Sequence, residues 1–345
     1  MSCPSLGELK LRFLRSSLPL QTVAAGLKNL RTLELPDSVG IADEGALQAL
    51  AALPQLYALH DLHLKLPSRR TTPTLSVSGF RSLKELSVVG DASNVSRFLP
   101  CVMSALDKFE IMSFGLLSPW LPAYPAISSN LLYVRELVIR HAPRRPSARR
   151  GEEDVSEIEL VELLQPLLQL RNVESFCLAL RTVGLVGDDD MFETVAQAWP
   201  RLTLFWLDAE PFLSTPTFLT LSAFAMHCPS LRTLVLPHVD HAALQFIMYG
   251  FKAEKPQTAL RRLSFCLAGG LRVDDARSAA KLVVGIFPML DVLASAVLPQ
   301  RVHMFSDESQ ADPTAQLKEA HRQDGAILWA MVLEEVQKLQ LGETP

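Results

Sequence analysis

The chain has 345 residues, 48% of them hydrophobic and 20% charged, with a formal net charge of -4. That apolar content excludes a disordered chain, and the charge supplies no basic field for nucleic acid. Five cysteines spread over the whole length do not make a disulfide scaffold, while leucine, at 61 residues, is far above its usual share.

The N-terminus, Met1-Ser2-Cys3-Pro4-Ser5-Leu6, is not a signal peptide: it lacks a charged start, and Gly7, Glu8 and Lys10 interrupt any apolar run. No stretch of roughly 18 uncharged apolar residues exists to cross a membrane. Cys3, Cys101, Cys177, Cys228 and Cys266 form no close pair, so they are expected as free thiols in a reducing compartment, cytoplasmic or nuclear.

The pattern L-x-x-L-x-L, a half-buried strand, recurs along the chain. It starts at Leu6, Leu30, Leu59, Leu83, Leu106, Val134, Val173, Leu202, Leu231 and Leu260, with a weaker copy at Leu290-Leu293 that Ser295 breaks. These starts lie 24, 29, 24, 23, 28, 39, 29, 29, 29 and 30 residues apart. Leu56-Tyr57-Ala58-Leu59 also fits a start, so the register of the third copy is open. Prolines before the strands, as in Trp199-Pro200-Arg201-Leu202 and Phe287-Pro288-Met289-Leu290, end the preceding helix where no ladder donor is needed.

Helix signals fill the intervals. Asp43 reads as an N-cap before Leu47 and Leu50, Asp190 precedes Phe192, Val195 and Trp199, and Thr215-Pro216 reads as N-cap then first helical position. Asp240 precedes Leu244 and Ile247, and Asp275 precedes Leu282, Val283 and Ile286. A helix is also expected over Ile158 to Leu168. Strand, loop, helix and proline about every 29 residues predict an α/β leucine-rich-repeat solenoid, a horseshoe or arc with parallel strands on the concave face and helices on the convex face.

Residues 1–300 are read as ten to eleven irregular units, with an exposed insertion near 141–155. Within it, Arg144-Arg145-Pro146-Ser147 resembles a basophilic kinase site. Residues 301–345 are read as a polar linker and a capping helix, Leu317 to Leu339, whose apolar face gathers Ile327, Leu328, Met331, Val332, Val336 and Leu339.

No catalytic, metal or cofactor motif occurs. Asp188-Asp189-Asp190 is read as helix capping, His227-Cys228 is not read as a nucleophile pair, and His60 and His63 are expected on opposite faces of a strand. No enzyme activity, cofactor or metal is expected. What the repeat offers is a concave surface for a protein partner. Its candidate contacts are Asp61, His63, Glu85, Lys108, Glu110, Glu136, Leu204, Trp206, Val235 and Arg262, with Trp206 as the anchor.

Two repeat starts, Cys228-Pro229-Ser230-Leu231-Arg232-Thr233-Leu234-Val235-Leu236-Pro237 and Trp199-Pro200-Arg201-Leu202, resemble the fungal F-box proteins with degenerate leucine-rich repeats. So does Phe80-Arg81-Ser82-Leu83-Lys84-Glu85-Leu86-Ser87-Val88. The resemblance runs to about residue 300. It implies the substrate receptor of a Skp1–cullin–F-box ubiquitin ligase, in which the F-box binds a Skp1-type adaptor and the repeats bind the target. No F-box is read in this chain, so the adaptor is implied only if one lies upstream. The family's usual Asn at the ninth position of each unit is also absent, replaced by Leu14, Ser38, Asp91, Ala142, Glu210, Val239 and Ala268.

A phosphate at Ser147 would lie among arginines and could draw the insertion onto them. A basophilic kinase should therefore label the chain, and Ser147→Ala should abolish the label in a radiolabel assay; labelling that survives the substitution would remove the site.

Overall fold

In the computed structural model the described residues are 6–11, 24, 26–35, 40–41, 43–66, 79–115, 117–142, 157–180, 184–209, 212–214, 216–240, 256–268, 273–296 and 313–342, side chains of 266–274 and 313–326 excepted. Cys3, Ser147, Thr215, Leu244, Ile247 and the stretches 143–156 and 297–312 lie outside them. The chain divides into two compact units, residues 1–153 with 165–173, and residues 154–164 with 174–345.

The first unit stacks parallel strands β1 (Glu8–Lys10), β2 (Thr32–Glu34), β4 (Ala58–Leu64), β5 (Glu85–Val89), β6 (Lys108–Phe114) and β7 (Glu136–Ala142), with the short β3 (Gly40–Ile41) on β4. Among the described residues, helices α1 (Glu44–Ala51), α2 (Ala92–Phe98) and α3 (Tyr124–Asn130) alternate with them. Asp43 caps α1 as expected, accepting from Gly45 N at 3.0 Å, and Asp91 caps α2 through Asn94 N at 2.8 Å.

In the second unit β8 (Glu157–Glu159) and α4 (Leu160–Leu164) precede β9 (Ser175–Leu180), β10 (Gly184–Val186), α5 (Asp189–Ala198), β11 (Leu204–Ala209), α6 (Phe218–His227), β12 (Thr233–Asp240) and β13 (Arg262–Ala268). Three helices end the chain: α7 (Val273–Ile286), α8 (Val292–Ala296) and α9 (Pro313–Gln340). Strands β9, β11, β12 and β13 are parallel neighbours, and β8 pairs with β10. Each unit is therefore an α/β leucine-rich-repeat stack.

Register is set at the start of each strand. In the first unit the carbonyls of Gly7, Arg31, Tyr57, Lys84 and Asp107 each accept two backbone N–H groups from the next repeat; Glu174, Thr203 and Arg232 do so in the second. The inward row that results is Leu9, Leu33, Leu59, Leu86, Phe109 and Leu137, and in the second unit Phe176, Phe205, Leu234 and Leu263. Every member is 0–1% exposed among those from Leu33 onward.

This register corrects the third repeat. Leu59 pairs with Leu33 and Leu86, so the unit starts at Leu56 rather than Leu59. One extra residue, Asp61, is accommodated in a bulge between Leu59 and Leu62, with φ 55° in the left-handed region that an aspartate tolerates better than most side chains. The bulge also resets the alternation, so His60 and His63 share a face instead of lying on opposite ones.

Other boundaries shift for local reasons. Ile158 belongs to β8, between two exposed glutamates, and the expected helix from there is reduced to Leu160–Leu164. Helix α5 is capped by Asp188, which accepts from Met191 N at 3.0 Å, so Asp190 lies within the first turn. Asp189 instead reaches the next repeat: its carboxylate accepts from Thr217 N (2.8 Å), Thr217 Oγ1 (2.7 Å) and Thr220 Oγ1 (2.6 Å). That moves the start of α6 to a Thr217 cap, two residues past the expected Thr215. Helix α7 starts at Val273, placing Asp275 inside it rather than at its cap.

The end of the sheet is closed by the eleventh copy, which is a helix. Leu290-Leu293 forms no strand; α8 covers it, and Ser295, which breaks the pattern, is fully buried. Its Oγ accepts from Leu263 N at 3.1 Å, satisfying a donor on the edge strand, while its carbonyl accepts from Trp329 Nε1 at 3.3 Å. Helix α9 is held by Trp329, Val332, Leu333 and Val336, spaced i, i+3, i+4, i+7 and all buried. The expected face included Ile327, which is 60% exposed, and missed Trp329, whose ring lies 4.2 Å from that of Phe265.

His141, placed by sequence at the edge of the insertion, is the penultimate residue of β7 and 1% exposed. Its ring bridges Ser113 Oγ at Nδ1 and Tyr124 OH at Nε2, the latter at 2.7 Å, and Trp120 packs edge-on at 5.2 Å. Burial drives its pKa down from 6.5 to about 3. Between those values the unfolded chain binds a proton there and the folded chain does not, so folding stability falls as pH falls. The slope from this residue should approach about 1.4 kcal/mol per pH unit below pH ~6. Urea titrations between pH 7 and 5 should show that loss, and His141→Gln should flatten it; an unchanged slope in the variant would refute the assignment.

Candidate protein-binding face

Along every strand the inward residues meet the helices, and the alternate residues form a sheet face to which no described helix of the same unit contributes a ring or hydrogen-bond contact. In the first unit, register aligns Glu8, Thr32, Ala58, Glu85, Lys108 and Glu136 in one row of that face. A second row holds Lys10, Glu34 and His60, and another Ser87, Glu110 and Val138. The expected contacts Glu85, Lys108, Glu110 and Glu136 are thus brought onto one surface. His63 lies further along β4 beside Val89, and Asp61 is the inserted residue of the bulge rather than a regular face position.

Charges on this first face neutralise one another across strands. Lys10 Nζ is 3.3 Å from Glu8 and 3.4 Å from Glu34, and those carboxylates hold its ammonium above the usual lysine pKa. Lys108 lies 3.8 Å from Glu136, His60 lies 3.9 Å from Glu85, and Arg140 bridges to Glu110 with both side chains under 20% exposed. Pairs at such exposure stabilise weakly, but they leave little net charge to attract a partner.

The second unit presents a different face. Ser175, Leu204, Thr233 and Arg262 are aligned, as are Cys177, Trp206, Val235 and Ser264. The Arg262 guanidinium stands 5.6 Å from the centre of the Trp206 ring, a cation–π contact between β13 and β11 that crosses β12. Val235, registered between them, is only 2% exposed. Val235, expected among the exposed contacts, is therefore withdrawn from the surface. Leu204 and Trp206 keep partial exposure, and the apolar run Leu204-Phe205-Trp206-Leu207 resolves with Phe205 and Leu207 inward.

No group of three metal-ligating side chains gathers among the described residues. Cys228 is buried, its thiol pushed up to about 12 by burial and 3.5 Å from the Ala196 and Trp199 carbonyls, while His227 faces Glu193 at 3.8 Å. Cys101 and Cys177 are free thiols, and Cys101 is likewise raised by burial, to about 11. The Ser113–His141–Tyr124 cluster, which sequence reasoning missed, is no more than 2% exposed and serves as a satisfied buried network. A shallow depression of about 510 Å³ near Arg31 and Tyr57 contains only one charged side chain, Arg31. No described helix is long and apolar enough to cross a membrane.

No family model and no curated protein sequence matches the chain. Among solved structures, the leucine-rich repeat-containing protein LegL7 from Legionella pneumophila is similar at 12% identity and a TM-score of 0.35, over 82% of this chain and 88% of that one. The fold assignment rests on the ladder register and the alternation of strands and helices described above.

A double-mutant cycle between Trp206→Ala and Arg262→Ala should give a coupling of about 0.5–1 kcal/mol in urea unfolding, the range for a partly exposed cation–π pair. Additive effects of the two substitutions would show that the bridge does not form in solution.

Proposed function

We propose that this chain is a non-catalytic protein-recognition module whose partner docks on the helix-free sheet face of the second unit. The observation that carries the reading is the Trp206–Arg262 bridge. It puts a partly exposed aromatic and a guanidinium, the side chains most enriched at binding hot spots, on a rigid sheet beside Leu204. Residues 1–300 would then form the recognition region, with α9 closing its end. Asp61, His63, Glu85, Lys108, Glu110 and Glu136 would supply polar contacts rather than the anchor, because most of them already hold partners of their own.

The more specific form of this reading is the target-binding region of an F-box-type ubiquitin ligase receptor. It is supported by the likeness of the repeat starts around Pro200 and Pro229 to fungal F-box proteins and by nothing in the face itself. A stand-alone scaffold or inhibitor uses the same face without an adaptor.

A photo-crosslinking amino acid at Thr233, between Leu204 and Arg262 in the register, should capture a partner from a host lysate for identification by mass spectrometry. With that partner purified, Trp206→Ala should weaken binding by about 2 kcal/mol, or roughly 30-fold, while leaving the far-UV spectrum unchanged. A Skp1-type adaptor in the captured complex supports the ligase form; its absence from a complex that still forms supports the scaffold. A partner that crosslinks instead from Leu219 or Met226 on the helix side, indifferent to Trp206→Ala, would overturn the proposal.

A further inference from the structure

We propose that the segment bound by this face is acidic, with carboxylates on Arg232 and Arg261 and an apolar side chain against Leu204 and Trp206. The inference rests on the docking reading above and adds the chemistry of the partner.

Arg232 and Arg261 stand at equivalent places, each immediately before the aligned pair Thr233 and Arg262, on strands that run side by side. Neighbouring strands lie about 4.8 Å apart, and the Arg232 carbonyl accepts from Arg261 N and Arg262 N, so Arg232 and Arg261 are neighbours at the strand-start edge of the sheet. Both Arg232 and Arg261 are exposed. Arg261 donates only to carbonyls, those of Thr258 (2.8 Å), Leu260 (3.4 Å) and Met289 (3.1 Å). The Arg232 side chain makes no hydrogen bond or ion pair with the described residues.

Two acids share this strand-start row. Glu174 is bound to Arg201, and Asp291, whose N donates to the Arg261 carbonyl, has its carboxylate on Ala294 N at 2.9 Å; Asp208 and Asp240 lie toward the C-terminal ends of their strands. Among the described residues Arg232 and Arg261 therefore meet no carboxylate, unlike Lys10, Lys108 and Arg140 of the first unit, each of which faces a glutamate. Guanidinium forks suit carboxylates in two-pronged geometry. On the same sheet, partly exposed Leu204 is aligned with Thr233, the residue after Arg232, and Trp206 follows two residues on. A nucleic acid strand would have the charge but not the fit: strand-binding surfaces stack successive bases on several aromatic rings, and among the described residues of this face Trp206 is the one partly exposed aromatic, with Arg262 against its ring.

The test uses the full chain and a fluorescein-labelled short peptide of glutamates alternating with leucine and phenylalanine, read by anisotropy. A control peptide carries glutamine at every glutamate, and a single-stranded DNA oligonucleotide serves as competitor. The glutamate peptide should bind at least about tenfold tighter than the glutamine peptide, and added salt should weaken it. Arg232→Glu should weaken it about tenfold or more; because Arg232 holds nothing else in place, this variant should fold normally. Arg261→Gln should act in the same direction, and Lys108→Glu in the first unit should do nothing. Equal binding of the two peptides, no binding of either, or full displacement by DNA would overturn the acidic-peptide assignment. Loss on Trp206→Ala with no effect of Arg232→Glu would overturn it while leaving the docking face intact, whereas a natural partner indifferent to both would remove the face itself.

Discussion

At the start of each strand one backbone carbonyl accepts two N–H groups from the following repeat, and this forked contact fixes where every side chain behind it points. The residue after the carbonyl is aligned with its counterparts in the neighbouring strands whatever the number of residues in between. Repeats of quite different length can then stack, because surplus chain is absorbed on the helix side or in a bulge. Since strand side chains alternate with a period of two, a slip of one residue would turn every buried leucine outward. The fork and the apolar row thus reinforce each other: the first sets the register locally, and the second makes any other register costly.

The positions legible in sequence are those this constraint governs directly. Leucine periodicity located the ten strands of the stacked ladders and the face that each buries, though not the short β3, β8 and β10, because burial on one side of a parallel sheet demands that alternation. It could not decide between Leu56 and Leu59, since Leu56, Leu59, Leu62 and Leu64 satisfy either frame until the one-residue bulge at Asp61 is known. Contacts between repeats were equally hidden. Asp189 looked like part of a capping run, yet its carboxylate ties Thr217 and Thr220 of the next helix. Ser295 looked like a flaw in a leucine pattern, yet its hydroxyl satisfies the last strand's Leu263 N–H. His141 looked like the first residue of a polar loop, although a hydroxyl on β6 and a phenol on α3 accommodate its ring in the core. In each case the partner lies some 17 to 32 residues away, and nothing in local composition names it.

Stacking identical backbone forks does not make the two sheet faces alike. In the first unit the outward positions carry acids and bases that meet across strands, a surface well suited to water. In the second the two aligned rows carry serine, threonine, cysteine, valine, leucine and tryptophan, with one charged side chain, Arg262. The two faces thus differ in chemistry although the same backbone contact builds both.

The identity of the exposed aromatic follows from the aromatic core behind it. Phe205 and Trp206 are adjacent, so the one that faces the helices excludes the other from doing so. Phe205 has three ring neighbours on the helix side, Phe176 at 5.6 Å, Phe192 at 6.3 Å and Phe224 at 5.0 Å. The position on α5 and α6 of two of those rings is set by the caps at Asp188 and Thr217, and the position of the third by the ladder between β9 and β11. Exchanging Phe205 for the larger indole would overfill that space and cost on the order of 1–3 kcal/mol, besides turning Phe176's stacked partner out to water. Trp206 is therefore held on the open side by packing that it does not touch. Its χ angles aside, the ring is placed by the core, so under the proposed docking little backbone ordering would remain to oppose binding.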